Sequence, residues 1–375
     1  MAAQPISFSY LVTNRVNPSA KDCQYICPLP SGQNSYFFAK GANNANQAQY
    51  HPVDEKAFLG TLGEDIQRAI ANGGPQVTLV IHGLGYLFSD ACTLLGTFGK
   101  NLVAQGYKGL LIEFDWPSYD DFESWAYYGR LPYSFPPQND NATIRDNING
   151  SVKSLAHLLY QILRPCKQYG ARLNIVCHSE GNYMLMLALH ALVANPDAEF
   201  SHLPLVDQVL MLAGDINNGA LQTPNGWAGQ GSWIAKYADA VTIYWSSQDD
   251  VLPSSEGWTA YHNPSFPKRL GLHGPNTTAA GTFLRNAYSL DCSLVVNASN
   301  PYRPPWITVH ASYFYIPQVL LDMRQTLEDT PPSRVVNRSS TGNQSFRMNK
   351  VPAPLKSPFE PQGAICPCQN MPVDT

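Results

Sequence analysis

The chain has 375 residues, 44% of them apolar and 14% charged, and its 24 basic and 28 acidic side chains leave a net charge of −4. An apolar share near that of ordinary globular proteins argues against native disorder, and the acidic balance offers no cationic surface to nucleic acid. The longest apolar run, Met184 to Ala194, contains His190 and falls short of the roughly 18 residues that a membrane span needs, so a soluble protein is expected.

Short runs rich in Val, Ile and Leu alternate with longer stretches of helical period, the pattern of a mostly parallel sheet with helices on both faces. Phe8 to Thr13 and Ser35 to Ala39 read as leading strands. Phe58, Leu62, Ile66 and Ile70 recur every four residues and predict a helix. Strands follow at Val77 to His82 and Gly109 to Asp115. Ile144, Ile148, Val152, Leu155, Leu159 and Ile162 predict a second helix, opened by a capping box at Thr143 and Asp146 and stopped by Pro165. Leu173 to Cys177, Val206 to Leu212, Val241 to Trp245 and Cys292 to Val296 complete eight predicted strands. No polar linker interrupts this pattern, so residues 1–329 are expected to form one catalytic domain, with an aromatic-rich insertion at about 116–141 and a Gly-rich lid at about 225–236. Residues 330–375, rich in Pro, Ser and Asn, read as a tail without a packed core.

Eight cysteines show no paired CxxC spacing, so no metal site is expected. Cys23, Cys27, Cys366 and Cys368 lie in polar surroundings where disulfides can form, whereas Cys92, Cys166, Cys177 and Cys292 read as core thiols. Met1 to Tyr10 lacks the basic and apolar regions of a secretory signal, which favours the cytoplasm unless a signal lies outside this chain.

The strongest chemical signal is Cys177-His178-Ser179-Glu180-Gly181-Asn182, where a strand ends at a serine and passes directly into an apolar helix. Such a strand-to-helix corner exposes a nucleophilic hydroxyl, with Gly181 at the second small position and Cys177 in place of the usual first glycine. Ser179 as a plain helix cap is the alternative. One strand-helix-strand unit earlier, His82-Gly83-Leu84-Gly85 follows an apolar strand, as an oxyanion loop would. The N–H groups of Leu84 and Glu180 are the candidate oxyanion donors.

After the seventh predicted strand comes Ser246-Ser247-Gln248-Asp249-Asp250-Val251-Leu252. Asp249 is the candidate acid, Asp250 its solvated neighbour, and Asp215 the rival from the preceding strand. His310 lies beyond the last predicted strand and before an apolar helix, where the base belongs, while His262 and His273 come before that strand. His82 and His178 read as structural neighbours of their motifs.

Taken together, Thr13-Asn14-Arg15, His82-Gly83, Trp116-Pro117-Ser118, His178 to Asn182, Ser246 to Leu252, and His310 with Tyr313 and Phe314 resemble the α/β-hydrolase superfamily. Within it the chain is similar to a branch of hydrolases of unknown function with an H-S-x-G-N elbow. The resemblance covers about residues 8–328 and implies the α/β-hydrolase fold and a Ser-Asp-His triad.

Trp116 to Phe135 holds eight aromatic residues, where the chain's 11% average gives about two. Emerging after a strand, this segment is expected to wall the site, with Trp116, Trp125 and Tyr128 as substrate contacts and Trp227 on a second candidate wall, Asn225 to Trp233. An aromatic mini-core beneath a long loop is the alternative. The expected activity is hydrolysis of an apolar or aromatic ester by Ser179, Asp249 and His310, with no cofactor. A catalytically silent scaffold that binds an apolar ligand or a protein, and a triad acting on amides or thioesters, are the competing readings.

Overall fold

A computed structural model describes residues 10–15, 34–38, 51–86, 88–118, 142–194, 205–222, 228–256, 268–276 and 284–350. Its strands are β1 (Tyr10–Thr13), β2 (Ser35–Phe38), β3 (His51–Val53), β4 (Gln76–Ile81), β5 (Leu110–Asp115), β6 (Arg172–His178), β7 (Val206–Leu212), β8 (Ala238–Trp245), β9 (Ala287–Asp291), β10 (Arg338–Gly342) and β11 (Ser345–Met348). They form one sheet in the order β10-β11-β9-β8-β7-β6-β4-β5-β1-β2-β3. From β9 to β1 every neighbouring pair is parallel; the antiparallel pairs are β1 with β2, β2 with β3, and β10 with β11.

The helices are α1 (Glu55–Ala71), α2 (Phe88–Ala104), α3 (Ala142–Tyr169), α4 (Gly181–Ala194), α5 (Ala228–Tyr237) and α6 (Pro317–Leu327). Because side chains alternate along a strand, Leu79, Ile112, Ile175 and Met211 face a core with α1, α3, α4 and α5, whereas Val80, Leu111, Val176 and Leu210 face α2 and α6. Helix α4 is apolar nearly all round because it is wedged between the sheet, α3 and α5. None of the described helices is long and apolar enough to cross a membrane. The chain leaves central β4 for β5 on one side, then crosses to β6 on the other. That reversal opens a crevice beyond the C-terminal ends of β4 and β6, where open α/β sheets bind ligands.

Several expectations need correction. The sheet has eleven strands among the described residues, rather than eight. The last strand of the parallel run is Ala287–Asp291, and Cys292 to Val296 is a turn in which the N–H groups of Val295 and Val296 return to the Cys292 carbonyl, with Cys292, Val295 and Val296 buried and Leu294 exposed. The β-branched residues that suggest a strand there are filling a core.

Helix α3 runs through Pro165 to Tyr169. Proline removes one backbone bond at a cost of about 3 kcal/mol, but Leu158, Leu159, Ile162 and Cys166 continue one buried stripe across it and hold the helix together. The helix already includes Thr143, so the proposed capping box is not its start. Residues 228–236 of the expected lid belong to α5, which packs on α4 and β8; 223–227 lie outside the described residues.

The domain does not end at residue 329. Residues 338–348 form a hairpin that extends the sheet, β11 lying parallel to β9. Arg338 fastens it by donating to both oxygens of buried Asp322 at 2.6 and 2.7 Å, and Tyr244 donates to the same carboxylate at 2.6 Å. Cys92, Cys166, Cys177 and Cys292 are buried free thiols, and the other four cysteines lie outside the described residues.

Candidate active site

Strand β6 ends at His178, and Ser179 turns the chain into α4 with φ of +53°, a left-handed conformation unusual for any residue but glycine. The surroundings hold that strain in place. Ser179 N–H donates to Leu212 O at 3.0 Å, and Asp215 N–H donates to Ser179 O at 3.2 Å, tying the corner to the end of β7. Asn182 Nδ2 donates to Ser179 O at 2.8 Å, and the Cys177 thiol donates to Asn182 Oδ1 at 3.0 Å. Cys177 therefore braces the corner from inside the core. A Cβ on Gly181 would stand 2.6 Å from Ile81 O and 2.7 Å from His82 O, so the corner touches the end of β4 and tolerates no side chain there.

The loop after β4 passes directly over the serine. A Cβ on Gly83 would meet Ser179 Cβ at 2.6 Å, which explains the glycine and measures the closeness of the two segments. Among the described residues, the N–H groups of Leu84 and Glu180 donate to no other group. Gly83 N–H is equally unengaged.

Beneath this loop lies a polar clamp that the motifs Thr13-Asn14-Arg15 and Trp116-Pro117-Ser118 build between them. Buried Arg15 makes two bonds to Asp115, at 2.7 and 2.8 Å, and donates to the carbonyls of Tyr86 at 2.7 Å and Trp116 at 2.5 Å. Burial opposes ionisation of Asp115, yet Arg15 and His82 together hold its carboxyl down at about 2. Gly85 N–H donates to Ser118 O at 2.9 Å, and Tyr86 N–H to Ser118 Oγ at 3.0 Å. Trp116 is fully buried, stacked on the His82 ring, and donates from Nε1 to His82 O at 3.0 Å. It is thus a prop under the loop and not the expected substrate contact. Trp125, Tyr128 and Trp227 lie outside the described residues.

Asp249 and His310 are brought together. His310 Nδ1 lies 2.8 Å from Asp249 Oδ2, both side chains are buried, and Asp249 Oδ1 accepts the N–H groups of Val251 and Leu252 at 2.9 Å each. Burial works against a charged imidazole, but the charge and hydrogen bond of Asp249, with Asp215 and Asp250 beyond, raise His310 above the usual histidine range. Asp250 is more than a solvated neighbour: its two oxygens accept Val309 N–H at 2.9 Å and His310 N–H at 3.1 Å, so it grips the backbone that carries the imidazole.

Asp215 is engaged elsewhere. It pairs with buried Arg269 at 2.9 Å and accepts from Ser255 Oγ at 3.0 Å. The ring of His178 packs on that of His310 with centroids 4.6 Å apart, and its Nε2 lies 2.9 Å from His310 O. Burial first, then the nearby His310, drives His178 far below the ordinary range; it is neutral and donates from Nε2. Through this contact His310 sits beside the residue preceding Ser179. Ser179 Oγ and His310 make no hydrogen bond to one another among the described residues.

Sequence reasoning missed Asn182, Asp250 and the Arg15–Asp115 clamp as organisers of the site. Asn182, Asp250 and Arg15 stand inside the short motifs and Asp115 directly before one, and only the fold reveals what they hold.

A sequence profile described as alpha/beta hydrolase of unknown function (DUF900) matches residues 61–260, more than half the chain. No curated protein sequence matches it significantly. Among solved structures it is similar to lipase B of Aspergillus fumigatus, at 14% identity and TM-score 0.38, covering 86% of this chain and 66% of the lipase, just under two thirds. It is also similar to EstE1, a thermostable carboxylesterase cloned from a metagenomic library, at 12% identity and TM-score 0.33, with 74% and 99% of the two chains covered. An esterase of Pyrobaculum calidifontis matches at 10% identity and TM-score 0.33, covering 74% and 93%.

Proposed function

As the chain belongs to the family of α/β hydrolases of unknown function, we propose that it is a serine hydrolase that cleaves carboxylic esters through an acyl-enzyme. The observation that carries this reading is the buried Asp249–His310 pair set against the corner that holds Ser179 in left-handed geometry. When a substrate seats, Ser179 and His310 close to hydrogen-bonding distance. Nε2 of His310 takes the proton from Ser179 Oγ, Oγ attacks the carbonyl carbon, and Asp249 accepts Nδ1–H and stabilises the imidazolium. The carbonyl oxygen becomes an oxyanion, for which the unengaged N–H groups of Leu84 and Glu180 are the donors. His310 then gives its proton to the departing alkoxide. Water, activated by the same imidazole, hydrolyses the acyl-enzyme and restores Ser179.

An ester is preferred because an alkoxide leaves with less help than an amide nitrogen; thioesters would use the same groups. The aromatic segment after Trp116 supports apolar or aromatic substrates. A silent scaffold finds less support, since Cys177, which replaces the usual first glycine of the elbow, braces the serine corner.

The test is turnover of matched ester, thioester and amide series by the purified chain and its Ser179→Ala variant. The reading expects ester turnover to fall by about four or more decades in the variant, whose fold stays intact. Ester turnover retained in the variant would overturn the assignment of Ser179.

A further inference from the structure

Glu180, the residue after the serine, presents a carboxyl that the proposed reaction does not use. The side chain is only 9% exposed, yet its carboxyl makes no hydrogen bond or ion pair with any described residue. Its electrostatic neighbours are Asp215 and Arg269, which pair with each other at 2.9 Å. Asp215 also donates its N–H to Ser179 O, so this group of charges lies directly against the serine corner.

The Glu180 oxygens, unlike those of Glu113, are not sealed from solvent, so water or a ligand completes them. Burial and the negative Asp215 push Glu180 up to about 8, Arg269 opposing them, so at neutral pH the acid is mainly uncharged. An uncharged carboxyl offers one donor and one strong acceptor. Such a carboxyl suits a neutral hydrogen-bonding group better than an ion.

We propose that the Glu180 side chain is a substrate-recognition residue that binds an uncharged hydroxyl or amide group of the substrate close to the scissile carbonyl. The inference rests on Ser179 being the attacking group. It adds a polar anchor to a pocket otherwise expected to be apolar.

The experiment compares matched pairs: ethyl lactate with ethyl propanoate, and 2-hydroxyethyl propanoate with propyl propanoate. The ratio of kcat/KM within a pair cancels any general loss that a change beside the serine causes. The hydroxyl ester should be favoured about 3- to 10-fold in at least one pair, as one neutral hydrogen bond allows. Glu180→Gln, which keeps a donor and an acceptor, should retain the preference. Glu180→Leu should abolish or reverse it.

The same ratios read as dissociation constants on the Ser179→Ala background, by calorimetry, separate this inference from the proposed reaction. If the protein hydrolyses no ester yet binds the hydroxyl compound more tightly through Glu180, the reaction is wrong and the recognition stands. Equal handling of both members of each pair, or an unchanged preference in Glu180→Leu, would overturn it. A preference for 2-aminoethyl propanoate above the hydroxyl ester would also overturn it, because the site would then select a cation.

Discussion

Three carboxylates stand near His310, and replacing each by asparagine should give three different outcomes. In Asp249→Asn, Oδ1 can still accept the N–H groups of Val251 and Leu252, so the loop survives. The amide nitrogen then takes the place of Oδ2, 2.8 Å from His310 Nδ1. A donor facing Nδ1 selects the tautomer protonated at Nε2, which cannot accept the serine proton, and the imidazolium loses its counter-charge. The expected loss is about three to four decades in kcat, or roughly 4 to 5.5 kcal/mol of transition-state stabilisation. Asp250→Asn weakens two backbone contacts at 2.9 and 3.1 Å on an exposed residue, where water replaces what is lost; about tenfold in rate is the expected ceiling. Asp215→Asn removes the negative charge that pairs with buried Arg269 at 2.9 Å, so its main effect should be on stability, about 3 to 5 kcal/mol. The assay is kcat and KM on one ester, alongside urea unfolding of each variant. If folded Asp215→Asn lost as much rate as Asp249→Asn, or Asp249→Asn stayed within tenfold of the parent chain, the assignment of the acid would be refuted.

Further outcomes follow from other parts of the structure. Hydrolysis should fall as pH drops through a midpoint above 6.5, because Asp249 raises His310 and only the neutral imidazole accepts the serine proton; a kcat/KM profile flat from pH 5 to 8 would point to another base. Arg15→Met takes the guanidinium from buried Asp115 and leaves its charge to Thr13 and His82 alone, which should cost about 3 to 5 kcal/mol in urea unfolding, with part regained in Arg15→Met/Asp115→Asn. Glu113 is fully buried with neither oxygen bonded, and burial raises it well above the carboxylate range. A group raised in the folded state loses its contribution as pH rises, so Glu113→Met should be more stable than the parent by a margin that grows between pH 5 and 9. A margin that shrinks over that range would contradict the burial argument.

Most of the sheet and the serine corner were legible because their signals are local. Val206–Leu212, with Val209 to Leu212 an unbroken apolar run, is a strand at its predicted bounds, and Ser179 announces itself by standing between a largely apolar strand and an apolar helix. What escaped depends on contacts made far along the chain. Ala287 to Asp291 carries weak strand character and is recruited by pairing with β8, while the more β-prone residues after it turn into the core. The final hairpin is polar on its outer face, and its place in the sheet rests on Arg338 reaching Asp322, 16 residues earlier. Gly342-Asn343 was its one turn signal, with Phe346 and Met348 alternating behind it. Likewise, nothing in an Asp-Asp pair says which carboxylate meets an imidazole 61 residues later and which holds its backbone.

The most direct measurement is covalent labelling with a fluorophosphonate, followed by peptide mapping of the modified residue. The account predicts one phosphonylated serine per chain, at Ser179, with labelling abolished in Ser179→Ala and slowed by about three or more decades in His310→Ala. Absence of labelling in the folded parent chain, or modification at any other serine, would contradict it.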